Sequence, residues 1–409
     1  MVSAAFVAPY LLEATSRFVL AAARLPGVRL GIITSTPWED ISPELRSALA
    51  GHWRVDDGLA PQQIAAGVRG LGHQIGPVER LMGILEQLQV PLGQVRAHLG
   101  LPGMGEQASR NVRDKARMKD VLRAAGIPCA RHRLIRTSQE AADFLSEVGL
   151  PVVAKPPDGA GAAATFRLNT TEDVRAWLEA VRYGPQPAWL LEEFLTGQEH
   201  TFDSVTLDGK TLWSSIADYH PSPLEVLRTP WVQWQVVLPH DLSGPKYAEI
   251  RRVGPAALEA LGVQTALSHM EWFARPDGSV AISEVGARPP GAQIAAMIGL
   301  SHDVDFFDLY ARLVLLDSFE VPERTWASGT AYLRGMGRGR VRAVHGIEEV
   351  NRDVGELVVD ARLPQPGQRS STSYEGEGYV TVRHRDTAVV REALDRIVNG
   401  LRVELVEDR

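Results

Sequence analysis

The sequence holds a single cysteine, Cys129. One thiol cannot close a disulfide within the chain, and no cysteine-based metal centre can be built from it. Such cysteine usage suits a reducing compartment, so the cytoplasm is the expected location. Cys129 follows Gly-Ile-Pro, between an expected helix and strand, where a lone thiol serves as a small buried hydrophobe. Long apolar runs are also missing. Nothing approaches the roughly 20 residues that cross a bilayer, so no membrane partner is expected. The opening "MVSAAFVAPYLLEATSRFVLAAARLPG" is apolar, but it lacks a basic leading segment, and Pro9, Glu13 and Arg17 interrupt it. A strand followed by a helix fits it better than a signal peptide. There is no excess of positive charge. A net charge of −7 argues against a broad nucleic-acid surface. Two phosphate-binding signatures are absent as well: no G-x-G-x-x-G follows the first strand, and no G-K-[ST] closes a glycine loop.

What is present is a globular composition, 44% hydrophobic and 23% charged over 409 residues, enough for about three domains of ordinary size. "AAFVAPY", a helical stretch and "VRLGIITS" follow in the order strand, helix, strand, which predicts the start of a parallel α/β unit. The stretch from Pro61 to Leu101 is helix-rich, and "GPVERLMGILEQLQV" has apolar residues at helical spacing. The Gly and Pro cluster at 100–105 marks a boundary. "SRNVRDKARMKDVLRAAGIP" reads as one helix ended by Gly126 and Pro128. Residues 218–245 read as irregular, rich in proline and aromatics, and suited to substrate recognition. There His220, Arg228, Trp231 and Trp234 are candidates to line an amino-acid or aryl pocket, although the two tryptophans read equally well as core aromatics. From about residue 328 the tail alternates like strands and closes with the helix "DTAVVREALDRIVNGL".

Several stretches carry chemistry. Lys155 ends the apolar strand "LPVVAK", where a lysine can reach into a cleft and meet phosphate oxygens as a point charge. The loop after it, "PPDGAGAAATF", has Gly159 and Gly161, which let backbone N–H groups approach an anion. Lys115 lies in "RDKARMK". In "LLEEFLTGQE", Glu192 can accept from an exocyclic amine, the backbone of Phe194 and Leu195 can pair with a planar base edge, and Glu199 can accept from ribose hydroxyls. In "MEWFARPDGSVAISEVGARPPG" a Pro-Asp-Gly turn separates Glu271 from Glu284, so the two acids can face each other on antiparallel strands. Opposed like charges need a cation. Mg²⁺ takes one or two carboxylates with substrate phosphates and water. Arg288 adds a fixed cationic fork four residues on. His269 lies two residues before Glu271 and so points to the same face, where it can contact substrate or shuttle a proton. Taken singly, each stretch also reads as surface charge or packing.

In order and spacing they resemble the ATP-grasp superfamily of carboxylate–amine ligases, in its amino-acid-ligase and biotin-carboxylase-like branch. The resemblance covers roughly residues 105–300. It implies an α/β (α+β) chain of three parts: a pre-ATP-grasp α/β domain over 1–105, an ATP-grasp domain over 106–327 with a glycine-loop subdomain near 130–195, and a small β-rich lid domain over 328–409. It implies ATP and Mg²⁺ as cofactors. Lys115 and Lys155 would hold the phosphates, and the loop with Asp158, Gly159, Gly161 and Ala162 would close over them. Glu192, Glu193, Phe194 and Leu195 would hold adenine, and Glu199 the ribose. Glu271 and Glu284 would bind the metal, while Arg288 and His269 would serve the reacting groups. The implied reaction joins a carboxylate, such as an amino acid, to an amine through an acyl phosphate, with release of ADP and phosphate. The implied partners are these two small molecules and a second copy of the chain, as a homodimer.

Two departures stand out. Family members commonly carry Asn two residues after the second acid, and this chain has Gly286. Its glycine loop also lacks a serine. Two other readings therefore stay open: an enzyme of the same fold acting on purine-pathway or carboxylase-like substrates, and a sensing module that binds ATP without turnover.

Overall fold

The computed structural model describes residues 1–157, 165–182, 189–229, 231–371 and 373–407. The chain begins with a four-stranded parallel sheet in the order Gly51–Arg54, Val28–Thr34, Val2–Val7, Arg80–Met82. Alternation along the central strand decides which helices cover it. Ala4 and Phe6 join one apolar cluster with Phe18 and Val19 of the helix Glu13–Arg24. Ala5 and Val7 join another with Ile64 and Val68 of the helix Pro61–Ile75.

Two helical expectations fail here. Within residues 76–90, Arg80–Met82 is a strand, because its backbone completes the edge of the parallel sheet beside Ala4, Ala5 and Phe6. Only the one-turn helix Glu86–Leu88 and the longer Gln89–Leu99 follow. The helix expected over residues 109–128 is also two, Glu106–Arg113 and Lys115–Ala124. Asp114 stands extended between them, and its carboxylate accepts from Ala116 N at 2.9 Å and Arg117 N at 3.0 Å. That is the geometry of an N-cap. It makes Lys115 the first residue of a new helix.

A second, antiparallel sheet of four strands has the order His132–Ile135, Trp189–Glu193, Val152–Lys155, Phe166–Leu168. The helix Ser138–Val148 leans on it and starts in a capping box between Thr137 and Glu140. The third sheet has nine strands. Its main path runs Val280–Gly286, Ala266–Ala274, Gln198–Leu207, Asp218–His220, Trp234–Leu238, Ala327–Leu333, Gly378–His384, Val358–Arg362, with Lys210–Ser215 beside Gln198–Leu207. The stretch expected to be irregular thus contributes two of these strands and the short helix Pro223–Arg228. All five residues of Trp234–Leu238 are buried, since they are apolar or paired and lie in mid-sheet. The strand Ala327–Leu333 begins where the last domain was expected to start, and it pairs with Trp234–Leu238. The central sheet therefore runs on into the C-terminal segment.

The N-terminal part shares a core with the rest. The Phe18 ring meets Phe307 at 4.7 Å and Tyr310 at 5.5 Å between centroids. Among the described residues, no helix is long and apolar enough to cross a membrane. Cys129 packs beside the cluster around Met118 and Trp272, and burial pushes its thiol up to about 11, so it is not a nucleophile at neutral pH.

Candidate active site

A cleft partly open to solvent lies between the second and third sheets. On its floor the strands Ala266–Ala274 and Val280–Gly286 pair antiparallel with Glu271 directly opposite Glu284. The turn between them is closed by Asp277, whose carboxylate accepts from Ser279 N at 2.9 Å, with Gly278 at φ +83°. Both acids line the cleft. Glu199, from the next strand, lines it too and is 9% exposed. Burial first, then the charges of Glu271 and Glu284, push its carboxyl up to about 8. Three acids thus line one wall. A divalent cation fits this donor set: two opposed carboxylates are what Mg²⁺ takes from protein while keeping water and phosphate as its other ligands. Among the described residues no cluster of three His, Cys, Asp or Glu forms a complete cage.

Lysines from two elements face these acids. Lys115 Nζ lies 2.8 Å from Glu284 Oε1. Lys155 Nζ lies 2.9 Å from Glu192 Oε2. Lys119, one helical turn after Lys115, is fully buried; its Nζ lies 2.7 Å from Glu192 Oε1 and donates to Ser283 O at 2.7 Å. Burial raises the carboxyl of Glu192, but Lys119 and Lys155 outweigh it and hold the group at about 2. Glu192 therefore spends its oxygens on two lysines. It is their shared counter-ion, and it also lines the cleft. Lys119 was not among the candidates read from sequence, although its i, i+4 spacing from Lys115 was a usable signal.

At one end of the cleft, Glu193, Phe194 and Leu195 form the rim with Val153, Pro156 and Phe273. Glu193 pairs with Arg131 at 2.7 Å and Arg275 at 3.2 Å, so its carboxylate braces the rim. The Arg167 guanidinium lies 3.9 Å over the Phe194 ring. At the other end stands Arg288. Its Nε donates to Glu86 Oε2 at 2.5 Å, and its Nη1 donates to Pro289 O at 2.8 Å. Glu86 comes from the N-terminal part, 202 residues away, and is 9% exposed. It also fills the space beside Gly286: a Cβ there would lie 3.3 Å from Glu86 Oε2. A side chain at 286 would therefore crowd the carboxylate that fixes Arg288. Glu86 left no signal in the sequence.

His269 lines the cleft with Nδ1 2.7 Å from Asp203 Oδ1 and Nε2 3.8 Å from Glu271 Oε1. Asp203, fully buried, also accepts from Thr201 Oγ1 at 2.7 Å. Burial lowers the affinity of the imidazole for its proton, but Asp203 and Glu271 outweigh it and push the group up to about 9. His269 is then charged at neutral pH and cannot accept a proton from an amine. Of its two expected parts, this geometry favours contact with substrate. Its folded-state value lies above the ordinary value of 6.5. The stability it contributes is therefore complete below about 6.5 and disappears as pH rises through about 9. We expect His269→Gln to cost on the order of 3 kcal/mol at pH 6, by the shift between those two values, and almost nothing at pH 10. Unfolding midpoints of both proteins across that range check this; a gap that does not change with pH would refute it.

The structure thus brings Lys115, Lys155, Glu192, Glu193, Phe194, Leu195, Glu199, His269, Glu271, Glu284 and Arg288 to one cleft. Asp158, Gly159, Gly161 and Ala162 lie outside the described residues, as does the side chain of Arg228. Of the recognition candidates, Trp234 lines the cleft, whereas His220 and Trp231 are exposed and do not.

Among solved structures, an L-amino acid ligase from Bacillus licheniformis superposes over 100% of this chain and 99% of its own, with a TM-score of 0.78 and 17% identity. The chain has the ATP-grasp fold. Another ATP-grasp neighbour, N5-carboxyaminoimidazole ribonucleotide synthetase from Thermotoga maritima, covers 99% of this chain and 100% of its own at a TM-score of 0.70 and 18% identity. In sequence, the L-arginine-specific L-amino acid ligase of Bacillus subtilis is 23% identical over 240 residues, 58% of this chain and 57% of that protein. The chain spans less than two thirds of the curated relatives it matches. No family model matches it.

Proposed function

We propose that the protein is an ATP-dependent carboxylate–amine ligase that joins an amino acid to an amine through an acyl phosphate. The observation that carries this reading is the assembly, in one cleft, of lysines Lys115 and Lys155, the opposed acids Glu271 and Glu284, and Arg288. Lys115 and Lys155 meet the nucleotide phosphates as point charges, with Lys119 and Glu192 holding Lys155 in place. The rim of Phe194 and Leu195 takes adenine, and Glu199 takes ribose. Glu271 and Glu284 would hold Mg²⁺, and the ion would supply positive charge against the nucleotide phosphates. A carboxylate oxygen attacks the γ-phosphorus, and the bond to the β,γ-bridging oxygen breaks to release ADP. The amine then attacks the acyl carbon, phosphate leaves, and the amine proton passes to solvent or to a base. Arg288, fixed by Glu86, faces the charge that develops on the acyl phosphate and its tetrahedral successor. The relatives named as amino acid ligases support the substrate class, and a chain with a single cysteine suits the reducing cytoplasm.

The neighbour named as a carboxyaminoimidazole ribonucleotide synthetase favours a second reading, with bicarbonate as the carboxylate. One experiment separates them: nucleotide product analysis with Mg²⁺ and either pooled amino acids or bicarbonate with amines. ADP and phosphate that require two amino acids support the proposal. ADP that requires bicarbonate supports the second reading. AMP and pyrophosphate reject both, and ATP binding without turnover points to a sensing module.

A further inference from the structure

The cleft beyond Arg288 has a wall of one kind. Tyr219, Pro223, Leu224, Trp234, Ile294 and Tyr374 line it. Three of them form a braced aromatic group. Trp234 lies 5.8 Å from Tyr219 and meets Tyr374 edge-on at 5.7 Å. Behind it, Tyr332 stacks on Trp234 at 4.6 Å. The indole Nε1 donates to Tyr374 O at 2.7 Å, so the polar atom of Trp234 is already used. Trp234 and Ile294 are each 1% exposed and Tyr219 is 7% exposed, so the wall is held rigid from behind. The charged groups at this end of the cleft, Glu86, His269 and Arg288, are engaged by partners at 2.5 to 2.7 Å and sit toward the acids of the floor. Among the described residues of the wall none carries a charge.

A charged substrate group pressed against this wall would lose water and find no counter-ion in the wall itself, and the acid next to it, Glu375, already accepts from Ala292 N at 3.2 Å, so the contact is costly. An apolar group would lose no such hydration, and the partly exposed Leu224 and Tyr374, backed by the buried Trp234 and Tyr219, give it an apolar surface with little entropy to lose. Resting on the ligase reading above, we infer that the carboxylate substrate is an amino acid with a neutral apolar side chain, which lies against Tyr219, Leu224, Trp234 and Tyr374. Tyr374 and Leu224 set its size. Both are only partly buried, and Tyr374 arrives from the C-terminal segment between two strands of the central sheet.

The test is ADP release by the full chain with ATP, Mg²⁺ and each amino acid in turn as first substrate, against a fixed pool of the others. Leucine, methionine or phenylalanine is expected to exceed aspartate, glutamate, lysine and arginine in kcat/KM by roughly 10–200-fold, the range that a few methylenes command in an apolar pocket. Tyr374→Ala is expected to shift the ratio of tryptophan to leucine at least tenfold toward tryptophan, and Tyr374→Phe to keep the wild-type ratio. Leu224→Ala is read in the same way, so that a Tyr374 variant that fails to fold leaves the inference testable. A preference for charged side chains, or ratios unmoved in both folded variants, overturns it. The ligase reading fails differently, by no amino acid supporting ADP release. In that case the wall is read by titrating leucine, phenylalanine, glutamate and lysine into the protein loaded with a non-hydrolysable ATP analogue; saturable binding of the charged pair alone, or of none, overturns the inference as well.

Discussion

Lys119→Met is expected to lower the unfolding free energy by about 3–5 kcal/mol, the cost of leaving a buried carboxylate with half its partners. Lys119 is fully buried, with Nζ 2.7 Å from Glu192 and 2.7 Å from the Ser283 carbonyl. Methionine fills the space of the stem but offers no charge and no donor. Glu192 would keep only Lys155, at 2.9 Å. The penalty belongs to the charge left behind, so the double variant Lys119→Met with Glu192→Gln is expected to recover part of the loss. Denaturant unfolding of the wild type and the two variants decides the matter. A single variant within 1 kcal/mol of wild type would mean that the buried pair is near neutral in energy and that Lys155 alone suffices.

The second large effect concerns turnover. Glu271→Gln and Glu284→Gln are each expected to reduce ADP release by about 10²–10³-fold, the scale on which one preorganised electrostatic contact acts in a closed site. Removal of divalent cation by chelation should do at least as much in the wild type. Glu271→Gln should fold, because it removes one of two opposed like charges, whereas Glu284→Gln also takes a partner from the buried Lys115 and is expected to be the less stable of the two. Glu284→Gln also uncouples Lys115, its partner at 2.8 Å, so its KM for ATP is expected to rise more than that of Glu271→Gln. Equal and small losses in both, with turnover that survives chelation, would remove the metal from the proposal.

Much of this site was legible in the sequence because its parts are local. A Pro-Asp-Gly turn between two strands fixes which acids face each other, so Glu271 and Glu284 could be paired by counting. Lys155 at a strand end and Arg288 just past another are likewise short-range facts. The parts that were missed are held by contacts between distant segments. Glu86 reaches Arg288 only because the parallel sheet and the central sheet share a core. Asp203 meets His269 only through the register of neighbouring strands. Tyr374 belongs to the cleft because a strand far along the chain, Gly378–His384, joins the central sheet. The strand Arg80–Met82 was misread for a related reason: three residues are too few to show a period of two, and only the sheet edge beside them selects the extended form.

The unbroken run of the central sheet through Ala327–Leu333 and Gly378–His384 decides how this protein can be re-engineered. Exchanging the whole C-terminal segment with that of a relative would tear the ladder of five register pairs between Trp234–Leu238 and Ala327–Leu333 from mid-sheet and expose its flank. The turn that carries Tyr374 and Glu375 is another matter, since it hangs between two strands and touches the cleft with few residues. It is graft-sized. A library confined to that turn would sample new substrates while every ladder stays closed.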